Sequence, residues 1–195
     1  MSEFRKIVER ILDEGDKKIF NKNGPHYNSS KDEEAVYDLL KKKWPKMIMN
    51  YKNEDFRSPV THRTWQIDFA SPEDNLYINY NRHIKHGRRI YNPEDPNCQK
   101  DVAWLKKQDG EFYKKILHTW TVVDPLKRIV AKQLGWRYIE LFDRDEVEKF
   151  LADPTLSYDE YRSPIETMQY DSDRYFKGKD RNRDEFGNDF FPNDP

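Results

Sequence analysis

Residues 65–69 read WQIDF and residues 76–87 read LYINYNRHIKHG, and these two stretches decide the fold of the chain. Apolar and polar residues alternate in each stretch, which is the pattern of a β-strand with one buried face. The connection between them, SPED at residues 71–74, has turn chemistry, so the two strands are expected to pair as a hairpin. The carboxylate of Asp68 closes the first strand, and a basic loop that contains histidines follows the second.

Helices are predicted on both sides of the hairpin. Residues 30–33, SKDE, have the form of a capping box and precede an apolar helical face at residues 36–40. Asp124 followed by Pro125 is a favoured helix start, with Asp124 as the N-cap. The alternation at residues 136–142 predicts one more strand. This order of elements predicts an α/β fold with a mixed central sheet flanked by helices.

The composition predicts one domain with additional terminal segments. The chain has 195 residues, 35% of them hydrophobic and 36% charged, which suffices for one modest core but not for ordering every residue. We expect an N-terminal helix and linker at residues 1–29, a core domain at residues 30–152, and an acidic, aromatic segment at residues 153–195. That last segment is either disordered or an arm wrapped over the domain, where it can dock on the basic loop.

The sequence lacks the signals of secreted and membrane proteins. No run approaches the roughly 18 apolar residues of a membrane span, and the N-terminus has no apolar signal-peptide core. The single cysteine, Cys98, excludes an internal disulfide framework and a zinc–thiolate cluster. The sequence therefore predicts a soluble cytoplasmic protein that is not secreted.

Positive charge is concentrated in one loop of an otherwise balanced chain. The formal net charge of −1 provides no global attraction to a polyanion. Residues 79–92, in contrast, contain no acid and carry Arg82, Lys85, Arg88 and Arg89. Such a patch fits phosphate contacts, and it fits a solvated loop equally well.

Acidic and imidazole side chains near the hairpin are candidates for chemistry. Asp68 can hold a divalent cation such as Mg²⁺ as a hard oxygen ligand, or it can cap a turn. His83 and His86 can each transfer a proton near neutral pH. At a strand-to-loop junction they point in different directions, so only one is expected to meet Asp68. Otherwise each is an ordinary surface histidine.

Two further acids have a similar ambiguity. Glu33 lies three residues before Val36, so it is expected on the inward face of its helix, either as a cap or as a catalytic acid. Asp124 is a helix cap unless it converges on Asp68. Lys127, one turn into the same helix, is placed to touch a phosphate or to be solvated.

The order and spacing of these residues resemble a known nuclease pattern. The pattern runs from SKDE through IDF, LYINYN and the His86-Gly87 pair to Asp124-x-x-Lys127 and the strand LGWRYI. Over residues 30–143 the chain is similar to the PD-(D/E)XK superfamily, which has a restriction-endonuclease-like core. Within that superfamily, the resemblance is to the very-short-patch-repair-like nucleases and to phage homing endonucleases of the EDxHD type.

The resemblance implies a role for each matched residue. Glu33 would be the helix glutamate, and Asp68 the central metal-binding aspartate with Asn79 as a neutral second ligand. His86 would be the loop histidine and Asp124 the late acid. The cofactor implied is Mg²⁺ or Mn²⁺, and the reaction implied is the hydrolysis of double-stranded DNA.

The resemblance also implies partners and a location. The residues expected to contact DNA phosphates are Arg82, Lys85, Arg88, Arg89 and Lys127. A symmetric homodimer is a common solution for cutting two strands, and a phage-encoded enzyme would act in the host cytoplasm.

The chain departs from the pattern at two positions. Arg82 replaces a small residue of the pattern, and Asn79 replaces the glutamate found in many relatives. The alternative is therefore a catalytically reduced nuclease fold that acts as a DNA-binding or protein-interaction factor.

Overall fold

The computed structural model describes residues 31–163, which form one sheet with helices on both faces. The strands are β1 (Ile48–Arg57), β2 (Thr64–Ser71), β3 (Leu76–Tyr80) and β4 (Arg137–Leu141). The helices are α1 (Lys31–Lys43), α2 (Pro96–Lys107), α3 (Glu111–His118), α4 (Asp124–Gln133), α5 (Arg144–Ala152) and α6 (Tyr158–Tyr161). A π-helical turn, Thr119–Val123, joins α3 to α4, and 3-10 turns lie at Pro72–Asp74 and Ile84–His86. Within this described part of the chain, no helix has the length and apolar character needed to cross a membrane.

The four strands lie in the order β1, β2, β3, β4, so each strand pairs with its neighbours in the chain. The β1–β2 and β2–β3 pairs are antiparallel, whereas β3 and β4 are parallel. A parallel pair requires a crossover connection, and helices α2, α3 and α4 provide it. The predicted α/β fold with a mixed, helix-flanked sheet is confirmed, and so is the predicted β2–β3 hairpin.

Each face of the sheet is covered by different helices, because successive strand residues point to opposite sides. Helices α1 and α5 cover one face, where Val36 and Phe150 belong to the same buried cluster as Ile78. Helix α4 covers the other face, where Val130 and Tyr77 share a second cluster. Burying an apolar side chain of this size stabilises the fold by about 1.5–3 kcal/mol. The sheet is therefore held between two helical layers.

A smaller core lies beside the sheet and supports the segment that follows β3. Leu105 of α2 and Ile116 of α3 form a buried cluster with Ile84 and Trp120. The Trp120 indole N–H donates a hydrogen bond to the carbonyl oxygen of Arg89 at 2.7 Å. The histidine-containing loop is thereby packed against helices instead of lying in solvent.

The predicted α-helix begins at Asp124, but the prediction that Asp124 is its N-cap is wrong. Asp124 has helical backbone angles, φ −66° and ψ −43°, and its N–H donates to the carbonyl oxygen of Thr119, so the helix continues from α3 into α4. Pro125 has no N–H to donate, and in an α-helix its ring clashes with the carbonyl four residues earlier. The wider π turn, Thr119–Val123, lies directly before Asp124 and this proline. The Asp124 carboxylate is consequently not used as a cap.

Glu33 is half-buried, and its neighbour Asp32 is the fully buried acid of α1. Asp32, Val36 and Leu40 are four residues apart and form the buried face of α1, whereas Glu33 is half-buried. The Asp32 carboxylate accepts hydrogen bonds from the Tyr80 hydroxyl at 2.7 Å, from Arg82 Nη1 at 2.7 Å and from Arg144 Nε at 2.8 Å. These bonds hold its pKa below the ordinary value although burial opposes them. Asp32 therefore clamps α1, β3 and α5 together.

The first residues of the predicted C-terminal segment pack on the domain. Tyr161 of α6 is buried, and its hydroxyl donates to the carbonyl oxygen of Glu140 at 3.0 Å. The Tyr158 hydroxyl accepts a hydrogen bond from the Ile90 N–H at 3.1 Å. The predicted N-terminal helix, the capping residue Ser30 and the rest of the C-terminal segment lie outside the described residues.

Glu146 is a buried acid that ties α5 to the end of the described chain. Its carboxylate accepts hydrogen bonds from the Phe142 N–H at 2.6 Å and from the Ser163 N–H at 3.0 Å. Burial raises the pKa of Glu146 to about 7, although both N–H groups favour the charged form. The native state therefore retains a proton at pH values where the unfolded chain has lost it.

Asp32→Asn should destabilise the protein far more than Glu33→Gln. The first change removes the charge that Arg82 and Arg144 share, and we expect a loss of about 2–3 kcal/mol in the free energy of unfolding. Glu33→Gln should cost less, because Glu33 is only half-buried and is not the acid that Arg82 and Arg144 share. Urea unfolding of both variants measures the difference. Equal losses would show that the clamp does not depend on Asp32 alone.

Glu146→Gln should remove a pH dependence of stability. Between the unfolded pKa of 4.5 and the native pKa of about 7, the native state binds more protons than the unfolded state, so stability falls as pH rises. Urea unfolding at about pH 5 and about pH 8 should show a smaller decrease for Glu146→Gln than for the wild-type chain. The exposed Glu148→Gln on the same helix is the control and should retain the wild-type slope. An unchanged slope in Glu146→Gln would contradict the assignment.

Candidate active site

The site begins where β2 and β3 separate. Their regular pairing extends from Ser71 opposite Leu76 to Phe69 opposite Ile78. Beyond that point, side chains replace the backbone ladder: the Asp68 N–H donates to Asn79 Oδ1 at 3.3 Å, and the Tyr80 N–H donates to Asp68 Oδ2 at 2.8 Å. The half-buried Asp68 carboxylate is thereby fixed at the open end of the hairpin. Its second oxygen accepts no hydrogen bond from the described residues.

His86 and Asp124 form a hydrogen-bonded pair next to this carboxylate. His86 Nδ1 lies 2.8 Å from Asp124 Oδ2, and the Asp124 side chain is only 3% exposed. A carboxylate on Nδ1 favours the tautomer with its proton there, so Nε2 is the nitrogen that can take up a proton. An aspartate that orients a histidine in this way is a recurring arrangement for general base catalysis.

The other oxygen of Asp124 has an unusual environment. Oδ1 is buried and has no hydrogen-bond partner within residues 31–163. Lys127 Nζ lies 3.8 Å away, which is beyond hydrogen-bond reach. Buried carboxylate oxygens without a partner are rare in native proteins, and an ion or water at such a place satisfies them.

Electrostatic interactions link Asp68 to the pair. Burial raises the pKa of Asp68, and the charge of Asp124 adds to the increase, whereas the Tyr80 N–H, Lys127 and His86 oppose it. Burial would also raise the pKa of Asp124, but His86 and Lys127 outweigh that effect and lower it. Two carboxyl groups with pKa values shifted in opposite directions beside one histidine are typical of a catalytic site.

A buried polar network that the sequence pattern does not reveal lies behind these residues. Glu140 accepts hydrogen bonds from Asn81 Nδ2 at 2.8 Å and from Arg128 Nη1 at 2.9 Å. It is the register partner of Asn79 on the parallel strand β3. The available signal was an acid at an inward position of the strand 136–142, flanked by apolar residues.

The structure brings together five of the predicted site residues. They are Asp68, Asn79, His86, Asp124 and Lys127. Glu33 lies on α1, which packs on the opposite face of the sheet from α4. A catalytic role for Glu33 stays a prediction.

The predicted phosphate-contacting arginines have other partners. Arg82 pairs with Asp32, and Arg89, which is 3% exposed, pairs with Asp101 and lies over the Trp120 ring. Both arginines therefore stabilise the fold. Lys85 and Arg88 are half-buried, and their contacts with DNA phosphates stay a prediction.

The donor set suits a hard divalent cation. Within residues 31–163, no cluster of three His, Cys, Asp or Glu side chains is arranged to hold a metal ion. Mg²⁺ needs fewer protein ligands, because it binds through one or two carboxylates and completes its shell with water and substrate phosphates. Asp68 and the unpartnered Asp124 Oδ1 are donors of this kind. Asn79 already accepts the Asp68 N–H, so its role as a ligand stays a prediction.

Comparison with protein-family models, with curated proteins and with solved structures finds no match to this chain. Function is therefore inferred from the residues of the site.

Gly87 fixes the loop that carries His86. It has a left-handed backbone with φ +66°, and a Cβ atom placed on it would lie 2.2 Å from a ring carbon of Trp120. Only glycine allows the indole to approach this closely. The contact determines where the 3-10 turn, and with it His86, lies relative to α4.

Gly87→Ala should destabilise the protein more than Gly135→Ala. Gly135 has nearly the same backbone, φ +71°, but a Cβ there meets nothing within 4 Å. Gly135→Ala should therefore lower the free energy of unfolding by only about 1–2 kcal/mol, which is the cost of a left-handed backbone for a residue with a Cβ atom. Gly87→Ala should lower the free energy of unfolding by about 2 kcal/mol more, because the added Cβ atom clashes with Trp120. Thermal and urea unfolding measure both, and equal losses would show that the contact with Trp120 does not hold the loop.

Proposed function

We propose that this chain is a Mg²⁺- or Mn²⁺-dependent endonuclease that hydrolyses double-stranded DNA, and that it belongs to the PD-(D/E)XK superfamily. The observation that carries the proposal is the His86–Asp124 pair beside Asp68, formed from a hairpin, the loop that follows it and a helix more distant in sequence. The mixed sheet with helices on both faces agrees with the core implied by the sequence resemblance.

Each residue of the site has a task in phosphodiester hydrolysis. Asp68, with Asp124 Oδ1, would hold the cation, which when bound polarises a phosphate oxygen and makes water more acidic. His86 Nε2 accepts a proton from the attacking water as the new P–O bond forms and the old one breaks. The departing oxygen takes a proton from solvent. Asp124 stabilises the imidazolium, and the Lys127 ammonium offers charge to a phosphate oxygen.

The proposal extends to partners and location. Sequence readout would come from segments outside the site, since phosphate contacts position DNA without specifying its sequence. Cutting both strands favours a symmetric homodimer. We place the protein in the cytoplasm, that of the host cell if it is phage-encoded.

A second candidate is a nuclease fold that binds DNA or protein without cutting. The observation in its favour is Asn79, which has no negative charge and whose oxygen is engaged by the Asp68 N–H. Such a site binds a divalent cation more weakly than one with a second acid.

Asp68→Asn should abolish cleavage of supercoiled plasmid. We expect at least a ~100-fold loss of nicking rate in Mg²⁺ or Mn²⁺, because the principal metal ligand and its charge are removed, and we expect a similar loss for His86→Ala. Wild-type cleavage should stop in EDTA. DNA binding, measured by gel shift without metal, should change by no more than about threefold.

The exposed Glu94→Gln, on the loop after β3, is the matched control and should cut at the wild-type rate. Full cleavage by Asp68→Asn would refute the site. A wild-type protein that binds DNA and cuts it with neither metal would support the second candidate.

A further inference from the structure

Helix geometry brings Arg128 and Asp124 to the same face of α4. The two residues are four positions apart, and an aspartate four residues before an arginine is a favoured ion pair on a helix. In the structure, Arg128 Nη1 instead donates to Glu140 Oε2 at 2.9 Å. Asp124 Oδ1 is left buried and without a hydrogen-bond partner among the described residues.

Glu140 is buried and hydrogen-bonded where it binds Arg128, so that Arg128 does not bind Asp124. Its side chain is 2% exposed, and its other oxygen accepts the Asn81 amide at 2.8 Å. The Asn81 N–H in turn donates to the carbonyl oxygen of Leu141 at 2.7 Å. Glu140 is too deeply buried to touch a DNA substrate, so any effect on the site acts through Arg128.

We propose that Glu140 is a positioning residue that holds Arg128 away from Asp124. Asp124 thereby stays paired with His86, and its buried Oδ1 stays without a hydrogen-bond partner among the described residues. The proposal deepens the proposed nuclease function and rests on it for its consequence in catalysis. An arginine on Asp124 would occupy the oxygen that a cation needs and would compete with His86 for the carboxylate.

The same arrangement accounts for the amide at position 79. Asn79 and Glu140 are register partners on parallel strands, and both are buried. A glutamate at position 79 would place a second buried negative charge beside Glu140, which is disfavoured without a further cation. Asn79 is the residue compatible with an acid on the neighbouring strand.

Thermodynamic cycles of Asp124→Asn and Arg128→Met test the proposal without metal or DNA. The cycle is measured by urea unfolding in the wild-type chain and in a Glu140→Gln background. Coupling between the two positions should be modest in the wild type, where the charges of Arg128 and Asp124 interact although no hydrogen bond joins them. It should change the unfolding equilibrium constant at least about fivefold more in Glu140→Gln, where Arg128 can bind Asp124 directly. Equal coupling in both backgrounds would overturn the proposal.

Asp101→Asn is the matched control background. Asp101 is a buried acid paired with a different arginine, Arg89, in the smaller core. Its loss should reduce stability and leave the Asp124–Arg128 coupling at the wild-type value. If Glu140→Gln does not fold, Glu140→Asp replaces it, because the shorter side chain withdraws the carboxylate from Arg128 and keeps its charge.

A plasmid-nicking assay adds a second test: recovery of activity in a double variant, which a purely structural role of Glu140 would not produce. Glu140→Gln should nick at least ~10-fold more slowly, and Glu140→Gln with Arg128→Met should recover to within about fivefold of wild type, because no freed arginine remains. A folded but inactive double variant would overturn the proposal. If the wild type does not cut DNA, the nuclease proposal fails, and the unfolding cycles still decide the position of Arg128.

Discussion

Tyr80 makes the two bonds on which the rest of the structure depends. Its N–H donates to the Asp68 carboxylate on one side of the sheet, where the β2–β3 pairing ends. Its hydroxyl donates to Asp32, which also binds Arg82 and Arg144. One residue thus connects the open end of the hairpin to the clamp that fixes α1 and α5. Because both bonds end on carboxylates, they are stronger than ordinary neutral hydrogen bonds.

The described domain pairs most of its buried acids with arginines. Asp32 takes Arg82 and Arg144, Asp101 takes Arg89, and Glu140 takes Arg128, so no full charge on these acids is left unpaired in a poorly polarisable interior. Two buried acids are different: Glu146 binds two backbone N–H groups, and Asp124 pairs with a histidine. Of these two, only Asp124 lies beside Asp68, and that pair carries the proposed function.

The sequence predicted the elements better than the side-chain positions. The same dipeptide, Asp-Pro, shows why. At Asp95 the aspartate is a true N-cap that accepts the Asn97 N–H at 2.8 Å, whereas at Asp124 the helix runs through a π turn and the carboxylate points to His86. The dipeptide is the same in the two cases, although its flanking residues differ. Packing of Trp120 against the loop, a long-range contact, distinguishes them.

Alternating hydrophobicity by itself determined the hairpin, the late strand and the α/β class, because strand periodicity is a local property that a single sequence displays. Side-chain chemistry and the resemblance to a nuclease pattern made Asp68, His86 and Asp124 candidates. Only the tertiary structure decided that Asp32 and not Glu33 is the buried acid of α1, since a shift of one residue rotates a helical side chain by about 100°. Only the tertiary structure assigned Arg82 and Arg89 to acids of the fold and gave Arg128 to Glu140. Which cation meets which carboxylate depends on distances between elements far apart in the chain, and no local pattern encodes them.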